Sequence, residues 1–165
     1  MPTPEFIVNL RRYIGHGPLW LLGSSTVVLR EQGNSTQVLL GRRADNGNWT
    51  TIDGIVEPGE PPQVAAAREC LEETELEVSI ERLVMTGVVG PISYANGDVC
   101  SFVDHCYRAH VVSGSTGTGD GENSAVRWFG LDGLPGGITP VSRRRIEVAV
   151  ANAPEVVLAG NYELG

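Results

Sequence analysis

The sequence predicts an α+β domain with a mixed β-sheet and helices packed on it. Three observations predict it. Short β-branched and apolar runs come first, then one helical pattern, then two longer strand-like segments, then a second helical pattern, an order that fits a mixed sheet covered by helices. The chain has 165 residues, enough for one domain with its own core. Its composition, 41% hydrophobic and 19% charged, is that of a globular protein, and neither a repeat nor an interdomain linker interrupts it.

Each element has its own signal. Phe6, Ile7, Leu10 and Ile14 fall at helical spacing and predict a short helix over 4–14, ended by Gly15-His16-Gly17-Pro18. Leu19 to Leu29 is apolar. Gly23-Ser24-Ser25 reads as a break in it, and Thr26 to Leu29 as a strand. After the turn at 31–35, Gln37 to Leu40 returns as its partner. A second turn at 45–48 leads to Trp49-Thr50-Thr51-Ile52, and a Gly- and Pro-rich loop runs from Asp53 to Pro62. A helix is expected from about Pro62 to Thr74, with proline near its start, acids in its first turn, and Val64, Ala67, Cys70 and Leu71 as its apolar stripe. Strands follow over roughly 78–89 and 99–112, joined at an Asn96-Gly97 turn. Residues 113–121 read as a mobile Gly- and Ser-rich loop, 125–129 as a strand, and 142–152 as a closing helix.

Composition also excludes some functions. The 12 basic and 20 acidic residues give a formal net charge of −8, which argues against binding long nucleic acids. A small phosphorylated substrate remains compatible, because a bound divalent cation inverts the local field. No apolar run is long enough to span a bilayer, and the N-terminus does not read as a signal peptide. Cys70, Cys100 and Cys106 form no CxxC pair, so they read as reduced, buried thiols suited to the cytoplasm.

The chemistry-bearing stretch begins at Gly54. Glu60 follows after five residues, and Arg68-Glu69-Cys70-Leu71-Glu72-Glu73-Thr74-Glu75-Leu76 after seven more. Glu69, Glu72 and Glu73 stand at i, i+3 and i+4, so they share one helix face and repel one another. Such a cluster calls for a cation, and carboxylate oxygens suit Mg2+ or Mn2+. Gly54 and Gly59 permit tight backbone geometry, through which a main-chain carbonyl can reach a metal. Arg68 is placed to pair with Glu72 and to hold the loop carboxylates Glu57 and Glu60.

This segment resembles the signature of the Nudix hydrolase family: G, five residues, E, seven residues, then R-E-U-x-E-E-x-G-U with U aliphatic. Gly54, Glu60, Arg68, Glu69, Cys70, Glu72, Glu73 and Leu76 match it, and the flanking strand order fits across most of the chain. The resemblance implies an αβα sandwich with a mixed sheet between helices. It also implies hydrolysis of a diphosphate bond in a nucleoside diphosphate-linked compound, either a nucleoside triphosphate or an ADP-ribose-like molecule, as in the short bacterial MutT-like branch. Glu69, Glu72 and Glu73, with the Gly54 carbonyl, are the implied Mg2+ ligands, Mn2+ being a substitute. Arg68 and Glu60 are implied to orient them. The signature departs from the pattern twice. Glu75 stands where glycine is usual, so the helix is expected to end differently, and Asp53 either caps a turn or adds an acid beside the metal. Residues 1–18 are then a helical extension, which suits an edge cover or a homodimer contact, 19–155 the Nudix domain, and 156–165 a tail.

The remaining roles stay open at this level. The general base is Glu69 or Glu122, with Asp120 as an alternative to Glu122. Arg42 and Arg43 follow a strand and either bind phosphate or lie on the surface. Trp49 and Tyr94 either stack on a base or pack structurally. Pro91 and Tyr94 fall near family cues for two different substrate classes and decide nothing. His16, His105 and His110 read as structural. A competing reading is a sensor that binds a nucleotide or nucleotide sugar without cleaving it. The retained carboxylates and the lack of a basic helix-turn-helix extension argue against it.

Overall fold

The computed structural model describes residues 3–162. Helix α1 (Glu5–Ile14) leads into strand β1 (Leu19–Gln32) and its hairpin partner β2 (Ser35–Arg43). Short strands β3 (Trp49–Thr50) and β4 (Ile52–Ile55) precede helix α2 (Pro62–Thr74). Next come β5 (Leu76–Ser93), β6 (Val99–Gly114) and β7 (Asn123–Gly130), then a 3-10 turn (Leu131–Gly133), α3 (Pro140–Ala151) and β8 (Val157–Tyr162). The strands form a single mixed sheet ordered β3-β2-β1-β6-β5-β8, with β4 added on β1 and β7 on β2. The β1–β6 and β5–β8 pairs are parallel and the others antiparallel. Helices pack on the sheet to give the αβα sandwich.

The two-residue period of β1 decides which side chain faces which helix. Val27 and Leu29 point to one face and join Val38, Leu40, Met85 and the α3 residues Ile146 and Ala149. Val28 points to the other and joins Leu39, Ile52, Leu76 and the α2 residue Cys70. Gly23 to Leu29 is buried throughout, as expected of a strand covered on both faces, so the Gly-Ser-Ser triplet lies inside β1 and does not break it. A third cluster seats α1, whose Ile7 packs on Leu21 and Cys100. Leu10 and Ile14 stay more than 40% exposed. All three cysteines are free and buried.

Helix α2 departs from its expected orientation. Ala65, Ala66, Cys70 and Thr74 are buried, together with Glu69 and Glu73, whereas Val64 and Leu71 are about half-exposed. The helix turns two carboxylates inward and leaves half of its anticipated apolar stripe in water, a choice that packing alone does not favour. Its first turn holds no acid; Glu57 and Glu60 lie in the loop before it. Pro62 opens it at a position where the missing N–H costs nothing. It ends on Glu75 in the left-handed conformation (φ 61°, ψ 17°), the geometry usually given to glycine.

The Gly-rich loop after β6 explains how this end is held. Gly117 N–H donates to the Thr74 carbonyl and Asp120 N–H to the Glu72 carbonyl, both at 2.9 Å, so the loop satisfies the open end of α2 and is not a free tether. A Cβ on Gly119 would overlap the Glu72 carbonyl oxygen, and one on Gly117 the Glu75 carboxylate. Gly119 is glycine because two backbones touch, whereas Gly117 makes room for a side-chain end. Gly119→Ala is therefore expected to destabilise the protein by about 1–3 kcal/mol, the usual cost of forcing extra volume into a packed site. A urea titration checks it.

Two boundaries also shift. Helix α3 begins at Pro140, because the Thr139 hydroxyl caps it by accepting from Ser142 N–H at 3.2 Å. The supposed C-terminal tail carries β8, which extends the sheet beside β5; residues 163–165 lie outside the described part.

Candidate functional site

The site forms where β4, the loop after it and α2 meet. Glu69 and Glu73, one helical turn apart, are only 2% and 3% exposed; Glu72 is more open. Strand β4 pairs with β1 and brings Gly54 against Glu69, so closely that a Cβ on Gly54 would overlap the carboxyl group. Gly54 is thus glycine because a carboxylate occupies the space of its side chain.

Arg68 ties the loop to the helix. Its Nε and Nη2 donate to the two oxygens of Glu60, each at 2.9 Å. Nη1 donates to Glu69 at 2.9 Å and Glu72 at 3.1 Å, and Nη2 also to the Ile55 carbonyl at 3.2 Å. The hydrogen bonds from Arg68 hold Glu60 below the ordinary carboxylate range. Glu69 moves the other way. Burial pushes it up to about 7 against the opposing pull of Arg68. Burial likewise pushes Glu73 up to about 8, with the nearby Asp53 charge adding to it. Asn123 Nδ2 donates to Glu73 Oε2 at 2.5 Å, whereas Oε1 is buried with no partner.

These shifts fix a pH dependence. Glu69 and Glu73 bind protons more tightly folded than at the ordinary 4.5, so between about pH 4.5 and 8 the folded state holds more protons than the unfolded one. Their contribution is fully favourable below pH 4.5 and is lost as pH rises toward 8. Glu60, held low, acts oppositely: its contribution is present above 4.5 and lost in acid. The metal-free protein is thus expected to lose thermal stability from pH 5 to pH 8.5. Scanning calorimetry in a chelating buffer checks it.

The other expected residues separate into two groups. Arg43 pairs with Glu122 at 3.1 Å and Asp45 at 3.4 Å, and stands near enough to Glu73 to favour its charged form. Tyr94, at the β5–β6 turn, has Asp53 and Arg43 among its charged neighbours, and burial pushes its hydroxyl up to about 12. Arg42 instead turns away onto the Gly47 carbonyl at 3.2 Å. Trp49, partly buried, packs against the core on the α3 face, edge-on to Phe129 with centroids 4.9 Å apart. Asp53 caps no turn. It sits in β4 and accepts from Arg145 at 2.8 Å. His16 pairs with Asp98 at 2.8 Å and His110 with Glu81 at 2.9 Å.

Asn123 and Arg145 belong to the site and carry no local sequence signal. Arg145, on α3, is buried and bridges Asp104 and Asp53 while donating to Thr51 Oγ1 at 3.1 Å. Beside the carboxylates, a cavity of about 610 Å³ opens between α1 and α2, with Pro4 and Val8 on one wall and Arg68, Glu72 and Asp120 on the other.

Among the described residues no three His, Cys, Asp or Glu side chains are gathered closely enough to hold a metal. The contacts give the reason: Glu69 and Glu72 both turn onto Arg68, and Glu73 onto Asn123. The donor chemistry nevertheless fits a hard cation. Glu60, Glu69 and Glu72 share one guanidinium, Glu73 keeps an orphaned buried oxygen, and Gly54 clears the space beside Glu69.

The NUDIX domain family model matches residues 21–148, which takes in β4, its loop and all of α2. This chain belongs to the Nudix hydrolase family. A MutT-like protein of Streptomyces ambofaciens is 35% identical over 133 residues, 79% of this chain and 73% of its own. A putative 8-oxo-dGTP diphosphatase of Bacillus subtilis (strain 168) is 27% identical over 128 residues, 78% of each chain. A NUDIX hydrolase from Nitrosomonas europaea superimposes with a TM-score of 0.66 at 27% identity, covering 86% of this chain and 79% of that one. Within the Nudix domain, the inward carboxylates Glu69 and Glu73 lie on α2.

Proposed function

We propose that this chain is a metal-dependent Nudix pyrophosphohydrolase that cleaves the diphosphate bond of a nucleoside triphosphate or an ADP-ribose-like compound. The observation that carries this is the buried Glu73, whose Oε1 lacks a partner on the helix face it shares with Glu69. A folded protein rarely leaves such an atom unmatched. Glu69, Glu72, Glu73 and the Gly54 carbonyl would hold Mg2+, or Mn2+ in its place. The bound ion would neutralise phosphate charge and lower the pKa of a bound water.

The chain's own residues do the rest. Arg68 and Glu60 fix the loop against the helix and keep Gly54 beside the carboxylates. Arg43, beside Glu73, is the side chain placed to take a substrate phosphate, and Glu122 holds it in position. Glu69, on the helix face it shares with Glu73, is the candidate for the base, and Glu122 acts through its pairing with Arg43. Tyr94 presents a 43% exposed ring for a nucleobase. Among the described residues no helix is long and apolar enough to cross a membrane, and the free thiols suit work in the cytoplasm.

The test is product release from a panel of canonical and oxidised nucleoside triphosphates, ADP-ribose, dinucleoside polyphosphates and nucleotide sugars. We expect turnover of one class with Mg2+ or Mn2+, and none with EDTA. Binding of a panel member without turnover under saturating metal would overturn the reading in favour of a sensor.

A further inference from the structure

Asn123 is 2% exposed, lies at the first position of β7, and reaches a carboxylate fifty residues away in sequence. A register shift between Arg42 and Arg43 in the β2–β7 pairing sets this up. Such a bulge re-aims side chains next to it, and two successive residues, Glu122 and Asn123, contact Arg43 and Glu73 respectively. The slot for the amide is supplied by Gly41. A Cβ there would stand 2.5 Å from Asn123 Oδ1, 2.7 Å from Cγ and 2.8 Å from Nδ2, all too close to tolerate.

We propose that Asn123 is a positioning residue: its amide holds Glu73 Oε2 and leaves Oε1 for the cation. The proposal rests on the metal-dependent reading above. The chemistry of the donor matters. An arginine or lysine in this place would orient the carboxylate but cancel the charge that attracts a metal. A neutral amide orients it and leaves the charge intact. Outer partners of metal ligands typically change metal affinity about 10–100-fold when removed.

Mn2+ titrated into the substrate-free 165-residue chain, followed by the electron paramagnetic resonance signal of the free ion, tests this directly. Asn123→Ala is expected to weaken Mn2+ binding about 10-fold or more. Gly41→Ala is expected to do the same without altering Asn123, by displacing its amide. The double variant Gly41→Ala/Asn123→Ala separates positioning from packing. Its added methyl refills the vacated space, so its melting temperature should return toward that of the wild type while its Mn2+ affinity stays low. Recovery of both would overturn the proposal and leave Asn123 as packing. So would Asn123→Ala binding Mn2+ within twofold of wild type while Glu73→Gln loses it, an outcome that spares the metal assignment. Equal Mn2+ affinity in wild type and Glu73→Gln would overturn both.

Discussion

Glu73→Gln should cut turnover about 10²–10³-fold, the scale on which removal of one preorganised electrostatic group acts. It should at the same time make the metal-free protein more stable in mild alkali. The two effects have one cause. Glu73 is buried with an unpartnered oxygen, and burial pushes its pKa up to about 8. Above that pH the wild type holds a buried charge with no cation; glutamine removes the charge and keeps a carbonyl to accept from Asn123. At pH 5 wild-type Glu73 is protonated and the difference should vanish. A gain of about 1 kcal/mol would raise the melting temperature by about 2–4 °C for a chain of this size. Thermal scans at pH 5 and pH 9 in EDTA, beside steady-state kinetics in Mg2+, show both halves.

Replacing Arg145 by methionine should destabilise the fold by about 3–5 kcal/mol, the cost of breaking a buried ion pair by removing one partner. Asp104 accepts from both Nε and Nη2 of Arg145 and also from Ser25 Oγ, and Asp53 accepts from Nη1. Without the guanidinium, one deeply buried carboxylate and one half-buried one lose their cation. Arg145→Lys should recover only part of the loss, because an ammonium lacks the planar fork that reaches both acids. Denaturant unfolding compares the three proteins. The damage should extend to the site, since Asp53 adjoins Gly54 and its charge bears on both Glu69 and Glu73.

Much of the site was readable because it is linear. Gly54, Glu60, Arg68 and the three glutamates lie in one loop-helix unit, where local spacing fixes relative position. The fold class was readable from the order of the periodic segments. What could not be read depends on tertiary approach. Asn123 and Arg145 meet their carboxylates only after the sheet forms, and neither residue stands in a distinctive local pattern. The α2 stripe departs from its expected face for a different reason. Apolar periodicity assumes that the helix buries its most apolar face, and α2 gives that place in part to Glu69 and Glu73. Residues 113–121 depart from the mobile loop their composition predicts because glycine signals close backbone approach as readily as freedom.

The parallel pairing of β1 with β6 has a consequence for how the chain reaches this state. It runs from Leu19 beside Cys100 to Leu29 beside His110, at the middle of the sheet. The β1–β2 and β5–β6 hairpins close locally, but the seam joining them requires a long loop to be shut before any contact rewards it. Folding should be slow for a domain of this size, on the order of milliseconds to seconds. During synthesis β1, with its unbroken buried run from Gly23 to Leu29, leaves the ribosome long before its partner β6 and waits with an open edge, so that interval is when the chain is most exposed to aggregation.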